Sequence, residues 1–235
     1  MVSIKEKVKF FLESIPKDIT IIAVTKTVDT DRIVEAIDAG INNLGENRVQ
    51  EAEIKFSELK DYNLKWHLIG SLQKNKVKKS VRIFDLIHSV DSVDLAKQIN
   101  IEAEKINKLQ NVLLQVNTSA EITKSGFSLD EEFLFSSAIE ISKMKNISVK
   151  GLMTIATNTN DKTLVKDCFV NLRNLLDKLN KKNIFEHQLD ILSMGMTDDY
   201  DLAISEGSNM IRIGRAIFGN RAINIDNNNI TGGGT

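Results

Sequence analysis

Three groups of residues in this chain have types and spacing that could do chemistry. The first is Lys26, which closes the apolar, β-branched run Ile19-Thr20-Ile21-Ile22-Ala23-Val24-Thr25-Lys26. Such a run reads as a buried strand, and a lysine at its mouth is partly desolvated, which makes the neutral, nucleophilic amine accessible. That is the chemistry of a Schiff-base lysine, although a solvated lysine at a strand terminus would look the same. The second group is Ser193, Gly195, Thr197 and Gly214, small residues that let backbone N–H groups approach an anion, with Asp198-Asp199 opening a helix beside them. Ordinary strand-to-helix turns account for either loop alone and less well for the pair. The third is Arg212. Met210, Arg212 and Gly214 share one strand face while Ile211 and Ile213 share the other. An inward arginine needs an acceptor, which could be a carboxylate such as Glu46 or a ring nitrogen of a bound cofactor.

Positioning these residues requires a particular scaffold. Ser3-Ile4-Lys5-Glu6 reads as a capping box for an opening helix with Ile4, Val8, Phe11, Leu12 and Ile15 on one face. After the strand ending at Lys26 comes a helix striped by Ile33, Ala36 and Ile37 and stopped at Gly40. Further strands are expected at Asn42 to Gly45, Lys65 to Ile69, Asp85 to Val90, Asn111 to Asn117, Ser148 to Thr154, Leu189 to Ser193 and Asn209 to Gly214. Helical patterns separate them, most clearly over 92–108, 129–144 and 162–180. Eight strand–helix units predict an α/β fold, a single (β/α)8 TIM barrel with an extra N-terminal helix, over an open doubly wound sheet. The expected barrel covers residues 1–223. The polar, glycine-rich segment 224–235 is expected to be a disordered tail.

Composition bounds the function. The chain has 235 residues, 42% hydrophobic and 27% charged, with a formal charge of −1. This implies no general attraction to nucleic acid or anionic membrane, and no stretch reaches the length of a membrane span. A single cysteine, Cys168, excludes an internal disulfide, so the cytoplasm is the default location. Cys168 belongs to the stripe Val165, Cys168, Phe169, Leu172, Leu175, Leu176 and Leu179, which reads as core packing. His67, His88 and His187 lack metal-ligand spacing, and His67 reads as a satisfied core or loop histidine that could approach a cofactor. Met153 reads as barrel lining, and Lys74, Lys76, Lys78, Lys79 and Arg82 as a solvated helix face.

The motifs carry a resemblance. Ala23-Val24-Thr25-Lys26, Leu44-Gly45-Glu46-Asn47, Trp66-His67-Leu68-Ile69-Gly70-Ser71, Lys124-Ser125-Gly126, Lys150-Gly151-Leu152-Met153, Ser193-Met194-Gly195-Met196-Thr197-Asp198-Asp199 and Arg212-Ile213-Gly214-Arg215-Ala216-Ile217-Phe218-Gly219 fall in order, at strand ends. Together they resemble the pyridoxal-phosphate homeostasis protein family, over nearly the whole chain to Arg221. The resemblance implies a barrel like that of alanine racemase, with pyridoxal 5′-phosphate as cofactor. It implies Lys26 as the internal-aldimine lysine, Ser193 and the backbone around Thr197, Gly214 and Arg215 at the phosphate, and Arg212 facing the pyridine nitrogen. Asn47, the asparagine of the Gly-Glu-Asn motif, joins the expected cofactor-binding set. The chain departs from the family's pattern at Arg48, where an aromatic is common, at Val28, where a second lysine often follows, and at Arg215, which replaces a smaller residue.

The implied role is to buffer or deliver the cofactor, meeting apoenzymes transiently, and the lack of residues for a second domain makes a monomer the expectation. Arginine donates to a ring nitrogen without protonating it, which leaves the ring a weak electron sink. Racemisation would also need a second base, and the two tyrosines, Tyr62 and Tyr200, are expected before the third strand and inside a helix. An amino-acid racemase is the alternative. A class I aldolase, also a Schiff-base barrel, lacks the expected pairing of a phosphate site with an arginine.

Overall fold

Two hydrophobic periodicities alternate along this chain, and the computed structural model shows what they build. It describes residues 2–119, 121 and 124–219. The opening helix α1 spans Ile4–Ser14, with the Ser3–Glu6 capping box formed in both directions. Eight strands follow: β1 Thr20–Val24, β2 Asn43–Glu46, β3 Lys65–Leu68, β4 Leu86–Val90, β5 Gln110–Gln115, β6 Ile147–Met153, β7 Ile191–Met196 and β8 Met210–Ile213. They form one closed parallel barrel in sequence order, sealed where β1 pairs with β8. The connecting helices are α2 Thr30–Asp38, α3 Val49–Glu58, α4 Val77–Ile83, α5 Val93–Glu104, α6 Glu131–Ser142, α7 Lys162–Lys181, α8 Tyr200–Ser205 and α9 Arg215–Phe218. This is the expected (β/α)8 barrel with its extra helix at the start.

Strand alternation sorts the residues into two cores. On β8, Ile211 and Ile213 join the large layer between strands and helices, while Met210 joins a small cluster with Ile22, Leu86, Leu113 and Met153. That small cluster fills part of the barrel interior, as expected for Met153. The α7 stripe from Val165 to Leu179, Cys168 included, is buried throughout. Asp29, Ser92, Asp130 and Asp161 cap α2, α5, α6 and α7 through side-chain oxygens, each cap worth about 1 kcal/mol. These caps anchor the loops that leave the C-terminal ends of the strands.

The structure corrects several boundaries. Leu12 is exposed, so it stands outside the buried face of α1. β1 ends at Val24, and Lys26 lies in the turn beyond it. β7 runs on to Met196 through a shift of register between Ser193 and Met196, so its loop begins at Thr197. Gly195 supplies the φ of +94° that this extra residue needs. α5, expected over 92–108, ends at Glu104. The expected tail at 224–235 lies outside the described residues.

Candidate functional site

The C-terminal mouth of the barrel gathers most of the expected site residues. Ala23 pairs with Ile213, so the end of β1 lies beside the end of β8. A Cβ on Gly214 would stand 3.3 Å from the Val24 Cβ, which shows how closely the two strand ends approach. Lys26 is half-buried two residues beyond Val24. Gly214 and Thr197 are also half-buried, on the loops after β8 and β7. Asn47 follows β2, its backbone pressed against the next loop: a Cβ on Gly70 would fall 2.4 Å from the Asn47 carbonyl oxygen. Arg215 is exposed and its guanidinium pairs with Asp198.

Both peptide groups flanking Lys26 are held from α3. The Lys55 ammonium donates to the Thr25 carbonyl, to Glu46 Oε1 and to Glu51 Oε1, each at 2.7 Å. Glu51 Oε1 in turn accepts from the Thr27 N–H at 2.5 Å. Thr27 has φ 62°, a left-handed conformation that is strained for a β-branched residue. Glu46 therefore does not pair with Arg212. Its side chain leaves the barrel toward α3, where the Thr25 hydroxyl also donates to Oε1 at 2.6 Å. Glu46 Oε2 has no hydrogen-bond partner among the described residues. Burial pushes its carboxyl above the usual range, opposed by the hydrogen bonds from Lys55 and Thr25. Lys55 falls on the stripe Val49, Ala52, Lys55, Leu59, and a lysine on an apolar stripe was the sequence signal that would have found this cluster.

Arg212 points inward as expected, buried among neutral acceptors. It donates through one terminal nitrogen to the Ser193 carbonyl at 2.8 Å and hydroxyl at 2.7 Å, and through the other to the Thr154 carbonyl at 2.8 Å. Burial lowers its pKa to about 10, and Asp199 opposes the shift. Asp199 is itself raised by burial, and accepts from the Met196 N–H at 2.6 Å to close the turn after β7. The Ser193 hydroxyl is fully buried inside the barrel and lies 3.0 Å from His88 Nδ1. Of the described hydroxyls at the end of β7, the Thr197 hydroxyl is the one outside that network.

His67 and His88 meet edge to face inside the barrel, with His67 Nδ1 3.0 Å from His88 Nε2. Burial depresses both, His67 to about 4 and His88 well below its usual value. The signal for them was parity: each lies on the strand face that turns inward. His187 is elsewhere, bonded through Nε2 to the Val149 carbonyl. A cavity of about 710 Å³ opens beside the mouth, lined by Lys124, Ile155, Thr157, Met196, Asp199 and Arg215. Neither Lys26 nor Arg212 lines it, so it flanks the cluster.

An amine at the end of β1, a fixed guanidinium inside the barrel and a close-packed glycine loop at the end of β8 fit a ligand carrying a carbonyl, a basic ring nitrogen and an anion. The sequence matches the family described as alanine racemase, N-terminal domain, over residues 2–222. The chain is 41% identical to the pyridoxal phosphate homeostasis protein of Aquifex aeolicus over 202 residues, which is 86% of each protein. It is 39% identical to that of Escherichia coli over 209 residues, 88% of this chain and 87% of that one. Among solved structures it is similar to PipY of Synechococcus elongatus with pyridoxal phosphate bound, at a TM-score of 0.85 and 34% identity, covering 92% of this chain and 100% of that one. An alanine racemase of Clostridium difficile shares the fold at a TM-score of 0.78 and 18% identity, and this chain covers 58% of it.

Proposed function

The chain belongs to the pyridoxal phosphate homeostasis protein family, and from that membership we propose that it binds pyridoxal 5′-phosphate at the mouth of its barrel and serves cofactor homeostasis and delivery. When bound, the cofactor supplies an aldehyde carbon, a pyridine nitrogen and a phosphate. Lys26 offers the amine that holds the aldehyde carbon covalently. The backbone N–H groups of Thr197, Gly214 and Arg215, with the Thr197 hydroxyl, hold the phosphate, and Asn47 borders the ring. Arg212 faces the ring nitrogen and donates a hydrogen bond without giving up its proton.

The observation that carries this reading is the fixed Arg212. A guanidinium held by Ser193 and Thr154 keeps donors for a ring nitrogen and cannot become neutral near pH 7. A ring left unprotonated draws electrons weakly, which favours a carrier over an enzyme. The tyrosines point the same way. Tyr200 packs its ring on Phe11, 5.6 Å away, and Tyr62 precedes β3 at the opposite end of the barrel, so neither serves as a base opposite Lys26. We place the binding unit in residues 1–223, acting as a cytoplasmic monomer that meets apoenzymes transiently. Among the described residues no helix is long and apolar enough to cross a membrane.

The experiment is borohydride trapping. The unaltered protein incubated with pyridoxal phosphate should absorb in the visible and yield one reduction-stable pyridoxyl adduct on Lys26. Lys26→Ala should yield none there, and full labelling of that variant would overturn the reading. Solvent deuterium exchange at the α-carbon of common amino acids separates carrier from racemase: exchange near an enzyme's ordinary rate of about 10 s⁻¹ would restore the racemase.

A further inference from the structure

Five side chains cross the barrel interior in one hydrogen-bonded row. Arg212 on β8 meets Ser193 on β7, Ser193 meets His88 on β4, His88 meets His67 on β3, and His67 meets Asn43 on β2. The last three contacts are each 3.0 Å. All but Asn43 are buried. We propose that this row is a one-directional chain that holds Arg212 in position, and that Ser193, His88 and His67 are positioning residues for the guanidinium. The role assigned to Arg212 rests on the functional reading above; the chain itself rests on the following geometry.

Arginine has five N–H donors and no acceptor, which sets the direction. Ser193 Oγ accepts from Arg212, and His88 Nδ1 is the one acceptor within reach of its own proton among the described residues. An accepting Nδ1 leaves the His88 proton on Nε2, and that nitrogen faces His67 Nδ1, which must accept in turn. His67 then carries its proton on Nε2 and donates to Asn43 Oδ1. The Asn43 amide donates onward to Asn42 Oδ1 at 2.7 Å, at the exposed end of the row. Run backwards, His88 Nδ1–H would fill the second lone pair of Ser193 Oγ and leave the Ser193 proton without an acceptor among the described residues, and Asn43 Oδ1 would have to donate. Every donor between Arg212 and Asn43 meets an acceptor when both histidines are neutral, and burial keeps them so.

The consequence for the site is specific. With one guanidinium nitrogen fixed by both oxygens of Ser193 and the other by Thr154, Arg212 cannot swing without breaking three hydrogen bonds. Ser193 acts through Arg212 on the ring end of the ligand and not on its phosphate. The two histidines are needed because Ser193 must dispose of a proton in a place without water-exposed acceptors.

The test begins on cofactor-free protein labelled with ¹⁵N, by imidazole NMR at neutral pH, with His67→Gln and His88→Gln for assignment. The expected result is a protonated Nε2 and an unprotonated Nδ1 on both rings. A protonated Nδ1 on either, or a charged ring, overturns the chain. In the second arm, Ser193→Ala should weaken pyridoxal and pyridoxal phosphate by the same factor, since both carry the ring nitrogen. A loss for pyridoxal phosphate more than about tenfold beyond that for pyridoxal, as a charge-assisted bond to the phosphate would give, overturns the positioning role. Failure of the unaltered protein to bind pyridoxal phosphate is a separate result against the functional reading, because the tautomers are read without ligand.

Discussion

Lys55 and Glu51 meet at 2.7 Å between the barrel and α3, and together they hold the peptide groups on both sides of Lys26. Lys55 takes the Thr25 carbonyl, and Glu51 takes the Thr27 N–H. A residue in the turn beyond a strand could otherwise drift with its loop. Here the backbone is fixed from a neighbouring helix while the Lys26 side chain remains at the mouth.

Removing Lys55 should be severe. Lys55→Met leaves Glu46 buried without its counter-charge, which costs about 3–5 kcal/mol. The double variant Lys55→Met with Glu46→Leu should recover a large part of that loss, because both buried charges are then gone. Urea unfolding of the three proteins measures it, and a double variant less stable than the single one contradicts the account.

Thr27→Gly should stabilise the fold. Relief of a strained positive φ is worth about 1–3 kcal/mol, against the extra chain entropy of glycine, about 0.5–1 kcal/mol. The Thr27 N–H bond to Glu51 survives the change. A rise in the thermal midpoint is the expected outcome, and a fall would mean that the exposed Thr27 side chain contributes more than its backbone costs.

Gly70→Ala should weaken ligand binding through Asn47. The added methyl meets the Asn47 backbone at 2.4 Å, so the loop after β2 must move. The stability loss should be about 1–3 kcal/mol, typical of overpacking. Amide shifts at Asn47 in the NMR spectrum, together with lower affinity for pyridoxal phosphate, check both parts.

Stability should fall as acid is added, starting before the carboxylates titrate. An unfolded histidine binds its proton near pH 6.5, while His67 in the fold waits until about 4. Between those values the unfolded chain holds protons that the folded chain does not, so stability drops by about 1.4 kcal/mol per pH unit for this residue. His88 acts with the same sign. Glu46, raised by burial, acts with the opposite sign and gains as pH falls. Urea midpoints between about pH 7 and pH 5 should decline less steeply in His67→Gln than in the unaltered protein.

Much of this was legible before any coordinates. The capping box at Ser3, the α7 stripe and the alternation of β8 are local patterns, and local patterns read directly. Lys26, Thr197 and Gly214 fall at the barrel mouth because strand ends in this fold converge there. The Glu46–Lys55 pair was hidden because a buried ion pair looks like two surface charges until β2 and α3 are packed. The pairing of His67 with His88 joins neighbouring strands at a register that neither strand encodes. β7 was read short because Gly195 bulges and lets the strand continue to Met196. The same inward parity that turns Arg212 into the barrel also brings the Ser193 hydroxyl to it.

The seam between β1 and β8 also sets the order of events during synthesis. Lys26 emerges early and Arg212 late, with about the whole barrel between them, and their strands pair directly. Contacts of such long sequence separation form last and slow folding. A nascent chain halted before β8 has β1 as an unpaired edge and lacks both the guanidinium and the glycine loop. The proposed cofactor site, which draws on both strand ends, is therefore complete only once β8 has paired with β1.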